Sequence, residues 1–364
     1  MQQENQPESS AEASPAAADS TTGPAVPAPA AQAAASFAPA PGSATAPRPA
    51  AAAPADPALD SRLTAETVAD AVYQGIVQAA VTLRPDVQAA IEQALPREQT
   101  PRARAVLGQI LENARIARTD GVPLCQDTGT VWVRLEVGEE LALPGNIFSQ
   151  VNDAVARAYT DARLRMSVLS NALFDRTNTG DNTPAFTELA LVPGRGATLH
   201  VMLKGGGSDN ASRVVMLSPG AGADGVRKVV LDCVHEKAAN ACPPLIVGVG
   251  VGATFDKVAG LAKHALLRPL DAPAASPEAA EFEADLLARI NKTGIGPAAL
   301  GGSTTALAVH LETAPCHIAA LPVAVNMGCC AMRTASIDLV PWDAEGADAN
   351  IDADAGEDAK EGAR

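Results

Sequence analysis

From Ser61 onward, apolar residues recur every three to four positions. The spacing of Val68, Val72, Ile76 and Val77 predicts an amphipathic helix over residues 61–83. Asp86 has the character of an N-cap for a second helix reaching Leu95, and Thr100 followed by Pro101 opens a third, RARAVLGQILENARIAR. Past the loop GVPLCQDTG the period drops to two in TVWVRLEV, which predicts a strand with alternating exposure. A helix is expected over 147–160, strands over 185–192, 198–203 and 213–217, and a helix over 222–240. ACPPLIVGVGVG is a Pro-led apolar run of the kind found in buried strands. Helices over 254–267 and 277–292, the glycine-rich loop GIGPAALGGSTT, and strands over 305–312 and 321–327 complete the pattern. Helices and strands mix without regular βαβ spacing and without an internal repeat. The expected class is therefore α/β (mixed α+β), one domain over residues 61–341.

The pattern fails at both ends of the 364-residue chain. Residues 1–60 contain 22 Ala and 11 Pro, and repeated Ala-Pro steps prevent a stable helix, so a disordered tail is expected there. Residues 342–364 read as a second, acidic tail, whose Asp spacing lacks the Gly and terminal Glu of an EF-hand loop. Of the net charge of −15, the two ends carry −5 and −6, which leaves −4 on the core. Such a core offers no basic face for nucleic acid. No apolar run is long enough for a membrane-spanning helix. The N-terminus has neither a basic segment nor an apolar stretch, and Glu4, Glu8 and Glu12 precede the first arginine, Arg48, so a cytoplasmic location with reduced thiols is expected.

Six cysteines then become the main candidates for chemistry. Cys125, Cys242 and Cys329 stand at chain breaks, in PLCQDTG, ACPPL and VNMGCC, where a thiol at the end of an element can face a shared pocket. The commoner fate of a cysteine is to be a small buried hydrophobe, and Cys233, inside VRKVVLDCVHEKAA, fits that role best. Cys316 and Cys330 stay open between the two. No pair has the two-residue spacing of zinc ribbons or bacterial ferredoxins. Gln126 and Asp127 follow Cys125 directly. KGGGSDN offers Lys204 and glycines 205–207, whose amides can approach an anion, although such a loop is more often only a turn. Arg165 is a possible carboxylate clamp or an exposed helical arginine, and His317 a polar site contact or a structural histidine. Walker A, G-x-G-x-x-G, H-E-x-x-H and G-x-S-x-G patterns are absent, and the glycines of GVGVGATFDK fall inside a strand-like run.

In order along the chain, PLCQDTG, NTGDNTPAF, KGGGSDN, ACPPLIVGVGVG, ALLRPL, GIGPAALGGSTTA and HIAALPVAVNMGC resemble the α part of the iron–sulfur hydro-lyases, the class I fumarate hydratases and L(+)-tartrate dehydratase. The likeness spans about residues 62–340. It implies that Cys125, Cys242 and Cys329 ligate a [4Fe–4S] cluster with one iron left open, and that Cys330 is a bystander. It also implies substrate contacts from Gln126, Asp127, Arg165, His317 and the loop Lys204, Gly205, Gly206. Asp127 is expected to act on the departing oxygen, with Gln126 and His317 as polar neighbours. Lys204, GDNTPAF and HIAALPVAVN lean toward fumarate over tartrate. Single-chain members carry a second, β-type domain, so the resemblance further implies an α subunit that works on a small dicarboxylate with a separate β-type subunit. An electron-transfer iron–sulfur protein, which usually needs four protein ligands, and a cluster-free scaffold are the alternatives from other classes.

Overall fold

The computed structural model describes residues 60–343, so nearly all of both expected tails lies outside the described residues. Helix α1 (Ala65–Val81) begins later than the periodicity suggests because Thr64 and Thr67 cap it reciprocally, each hydroxyl accepting the other's backbone N–H. Helix α2 (Pro85–Ala94) corrects the expected cap. Arg84 holds the cap position and Pro85 presets the first turn, while Asp86 accepts from the Arg84 guanidinium at 2.6 and 2.7 Å and from the Leu270 N–H at 2.8 Å. Helix α3 (Pro101–Asp120) starts on Thr100, as its sequence predicts, and ends at Gly121 in the left-handed conformation.

Strands β1 (Thr130–Gly138), β2 (Phe186–Val192) and β3 (Ala197–Lys204) belong to one four-stranded sheet. Helix α4 (Val151–Asp161) lies between β1 and β2 in the chain, and its expected first turn, 147–150, is non-helical. Val131, Val133, Leu135 and Val137 of β1, with Leu199, Val201 and Leu203 of β3, are buried under α1 and α4.

KGGGSDN leaves β3 through a one-turn helix α5 (Gly206–Asn210), where a plain loop was expected. Strand β4 (Arg213–Leu217) and helix α6 (Gly222–Lys237) follow, then a tight turn over Ala238–Ala241 that ends the helix early. Strand β5 (Leu245–Ala253), helices α7 (Phe255–His264) and α8 (Pro277–Asn291), and strands β6 (Ala306–Cys316) and β7 (Leu321–Gly328) complete the second sheet, in the order β4-β7-β5-β6. Only β5 and β6 run parallel in it. Helices α6 and α8 cover one face. On the other, Gly248 and Gly250 let the α7 backbone lie directly on β5, since a Cβ there would fall 2.1 Å from the Ala262 carbonyl oxygen and 2.6 Å from that of Val258. The glycines of GVGVG thus serve packing.

One strand was not foreseen. β8 (Thr334–Val340) closes the first sheet in the order β2-β1-β3-β8. Its outward Ser336 and Asp338 dilute the apolar pattern, yet they pair across the ladder with His200 at 2.8 Å and Thr198 at 2.7 Å. A third cluster, including Leu107, Trp132, Met202, Ile246 and Met332, joins the two sheets to α2 and α3.

Candidate active site

Sheet register determines where the three turn-placed thiols lie. Ile246 near the start of β5 stands beside Gly328 at the end of β7, so Cys242 and Cys329, just beyond those ends, share one edge. The Cys330 N–H donates to the Cys242 carbonyl at 3.0 Å and locks the two segments together. Cys242 itself has φ 56°, a left-handed conformation costly for a residue with a Cβ. It is followed by Pro243, whose carbonyl accepts the Ala298 N–H at 2.8 Å, so the glycine-rich loop braces this segment. Cys125 arrives from the first sheet in the loop before β1. Partial burial raises the Cys242 thiol, and Cys329, Cys125 and Asp127, all close enough to repel its thiolate, raise it further.

Asp127 is held from several sides. Its Oδ2 accepts the Gly206 N–H at 2.8 Å, and its Oδ1 accepts the Gly129 N–H at 3.1 Å and lies 3.3 Å from the Arg165 guanidinium. The backbone beneath is equally pinned. The buried Tyr159 hydroxyl donates to the Thr128 and Gly129 carbonyls at 2.9 and 3.0 Å, and burial raises that phenol well above its usual range. Asn182, fully buried in GDNTPAF, donates to the Gly129 carbonyl at 3.1 Å and accepts the Ser167 N–H at 2.7 Å. The Thr128 hydroxyl donates to the Arg165 carbonyl at 2.6 Å, tying the arginine's segment to the same loop. Tyr159 and Asn182 were missed by the residue-level reading; for Asn182 the clue was its place inside a motif.

Several expected site residues have a different environment. Arg165 lies beyond the end of α4, half-exposed beside Asp127 rather than on a helix. Gln126 is exposed, and its Oε1 is 3.4 Å from the Cys125 sulfur. Lys204 is only 4% exposed, and its ammonium donates to the Ser208 hydroxyl at 3.1 Å and to the Met327 carbonyl. It therefore lies beneath the edge, and burial pushes it down to about 8. The Gly206 amide is taken by Asp127, and Gly205 packs against Arg333 and Asp127, so the glycine loop holds Asp127 where a direct grip on substrate was expected. Gly207 also has to be glycine, because a Cβ there would stand 2.7 Å from the Asn240 carbonyl oxygen, two residues before Cys242.

His317 is not brought to this edge within one chain. Leu245 pairs with Ala306 and Ala253 with Cys316, so the exposed turn carrying His317 sits at the opposite end of the second sheet. At the usual strand rise that is about 25 Å away. Cys316 is exposed at the same far end. Cys233 is buried in α6, its thiol donating to the Ala211 carbonyl at 3.2 Å and raised by burial. Cys330 stays beside the three thiols, its own thiol pushed well up by burial and by its sulfur neighbours.

Residues 69–338 match the family model described as fumarate hydratase (Fumerase). The chain belongs to that family. Among relatives of this Fumerase-family chain is the "Putative L(+)-tartrate dehydratase subunit alpha" of Methanocaldococcus jannaschii, 36% identical over 274 residues, which covers 74% of this chain and 96% of that protein. The L(+)-tartrate dehydratase subunit alpha of Escherichia coli K12 is 34% identical over 256 residues, covering 69% of this chain and 84% of its own length. The family is one of hydro-lyases. No helix among the described residues is long and apolar enough to cross a membrane.

Among the described residues no three His, Cys, Asp or Glu side chains stand close enough to hold one metal ion. Three free thiols from three separate loop ends fit the iron–sulfur cluster typical of the family, whose several irons keep its thiolate ligands apart. The residues present are compatible with such a group.

Proposed function

We propose that this chain is the α subunit of a [4Fe–4S]-dependent hydro-lyase for a four-carbon dicarboxylate, with reversible hydration of fumarate to (S)-malate as its reaction. The observation that supports this is that the loop carrying Cys125 and Asp127 is pinned to the Gly206 amide, while Cys242 and Cys329 sit just past neighbouring strand ends that the Cys330 N–H ties together. Those three thiolates would hold the cluster. When bound, it would supply a Lewis-acidic iron that makes hydroxide a tolerable leaving group.

The remaining work falls to side chains. Arg165, half-exposed beside Asp127, pairs with a substrate carboxylate, and the exposed Gln126 amide orients it. Asp127 exchanges the proton of the departing hydroxyl at Oδ1, the oxygen that faces Gly129 and Arg165, while Gly206 holds Oδ2 in place. A second carboxylate on the substrate needs another cation, because a desolvated unpaired charge costs several kcal/mol in practice (order of magnitude). Lys204 is engaged elsewhere, which supports a β-type subunit that supplies the missing cations and the base for C3; the relatives' names as α subunits support the same reading. Free thiols throughout suit a reducing cytoplasm. A second reading, L(+)-tartrate as substrate, is favoured by the names those relatives carry.

The test is the full chain, loaded anaerobically with ferrous iron and sulfide and mixed with its β-type subunit, assayed with fumarate and with L(+)-tartrate. Fumarate consumption is expected. Turnover of tartrate alone would move the substrate to the second reading. Asp127→Asn should keep its iron and lose about 100-fold or more in kcat; unchanged turnover would remove Asp127 from the chemistry.

A further inference from the structure

Asp127 and Arg165 stand on different segments of the chain, and one buried side chain joins the two. Asn182, fully buried, accepts the Ser167 N–H on Oδ1 at 2.7 Å and donates from Nδ2 to the Gly129 carbonyl at 3.1 Å. Gly129 is two residues past Asp127, and Ser167 is two residues past Arg165. An N–H can only donate and a carbonyl can only accept, so the partners themselves determine which way the amide faces. The backbone of Asn182 has φ 62°, a left-handed conformation that asparagine adopts more readily than most residues. Backbone and side chain thus ask for the same residue type.

The surroundings leave this loop little slack. The Gly129 carbonyl also accepts the Tyr159 hydroxyl at 3.0 Å, so both of its lone pairs are used. A Cβ on Gly129 would stand 2.7 Å from the Lys204 carbonyl, which shows how closely the loop lies on the end of β3. The guanidinium of Arg333, a residue only 4% exposed, donates to the Asp127 carbonyl. The Thr128 hydroxyl reaches the Arg165 carbonyl at 2.6 Å, and Asn182 makes the second tie between the same two segments. Between these ties Arg165 lies 3.3 Å from Asp127 Oδ1.

We propose that Asn182 is a positioning residue of this site: its carboxamide fastens the Asp127 loop to the Arg165 segment and so sets the spacing between the group that exchanges the proton and the group that pairs with a substrate carboxylate. This deepens, and rests on, the roles given above to Asp127 and Arg165. Both bonds of the Asn182 side chain go to backbone, so it acts on substrate only through those two residues. Its two ends serve different partners: Nδ2 holds the Asp127 loop, and Oδ1 holds the Arg165 segment. Substitution can therefore separate them.

The experiment compares the wild-type full chain with Asn182→Ala and Asn182→Asp. Each is loaded anaerobically with ferrous iron and sulfide, mixed with the β-type subunit and assayed on the dicarboxylate that the wild type consumes. At about pH 8.5, where carboxyls are ionised, Asn182→Asp keeps an acceptor for Ser167 but loses the donor to Gly129. Its kcat should fall by about tenfold or more with KM within about twofold of wild type. Asn182→Ala loses both ends, so kcat should fall by about 10- to 100-fold and KM should rise as well. A purely structural residue would lower Tm and leave both constants at their wild-type values. Wild-type kinetics in Asn182→Ala, or a KM in Asn182→Asp that rises as much as kcat falls, overturns the assignment. Should Asn182→Ala fail to fold, the split between kcat and KM in Asn182→Asp decides. Amide hydrogen exchange of the unloaded full chain supplies a measure that needs no turnover. The Ser167 N–H should exchange about tenfold faster or more in Asn182→Ala and stay protected in Asn182→Asp; equal protection in wild type and Asn182→Ala overturns the clasp. A wild-type complex that consumes no dicarboxylate refutes the hydro-lyase reading, while the exchange comparison still decides whether Asn182 holds the two segments together.

Discussion

Replacing Glu98 with glutamine should loosen the brace behind Cys242, although the two residues are far apart in sequence. Glu98 is 1% exposed and accepts four hydrogen bonds: from the Ser303 N–H at 2.8 Å, the Ser303 hydroxyl at 3.0 Å, the Thr304 N–H at 2.9 Å and the Gln99 N–H at 2.9 Å. Every partner is a donor. A carboxylate satisfies both ends of this arrangement, whereas an amide must turn an NH2 toward another N–H. Losing one charge-assisted bond and stranding a buried donor costs about 2–4 kcal/mol. For a folded region of this size that corresponds to a fall of roughly 5–10 °C in Tm. Burial by itself would raise the Glu98 carboxyl, but the bonds from Ser303, Thr304 and Gln99 outweigh it and hold the group below the usual glutamate value. A depressed carboxylate stabilises the fold above the unfolded value and loses that contribution as pH falls through the folded one. The gap between wild type and Glu98→Gln should therefore be full above pH 4.5 and narrow below it. Differential scanning calorimetry from pH 7 downward measures this, with the exposed Glu92→Gln as control, expected within about 0.5 kcal/mol of wild type. If Glu98→Gln shifted Tm no more than Glu92→Gln, the clasp would contribute nothing and the reasoning would fail.

Two further outcomes follow from the same geometry. Single serine substitutions at Cys125, Cys242 and Cys329 should each abolish iron retention in the anaerobically loaded chain, whereas Cys233→Ser, buried in α6, should keep it; the reverse result for Cys242 and Cys233 would sink the ligand set. His310, 2% exposed with Nδ1 2.9 Å from the Ala265 carbonyl, is pushed by burial down to about 4 from 6.5. As pH falls from 6.5 to 4 the unfolded chain takes its proton first, so about 3 kcal/mol of stability present above that window should drain away within it. His310→Gln should flatten that part of the Tm-against-pH curve, and an unchanged slope would assign the acid sensitivity elsewhere.

Much of the scaffold was determined by local chemistry that a linear reading captures. The Thr100–Pro101 start of α3, the alternation in β1 and the apolar run of β5 each depend on neighbours within a few residues, so periodicity and capping residues reveal them. The three turn-placed cysteines were visible for the same reason: a thiol at the end of an element announces itself by the break beside it. Tertiary structure decided what each charge is for. Asp86 caps nothing because Arg84 and Leu270 claim its carboxylate, and β8 pairs despite a diluted pattern because His200 and Thr198 satisfy its polar residues from β3. Lys204 reads as a substrate clamp in KGGGS yet lies beneath the edge on the Met327 carbonyl, and His317, within one chain, faces the far end of the second sheet. Arg333 and Glu98 carry no local mark at all. Their partners are some 200 residues away, and the cost of burying a charge is settled by what surrounds it in space, a quantity that no spacing along the chain encodes.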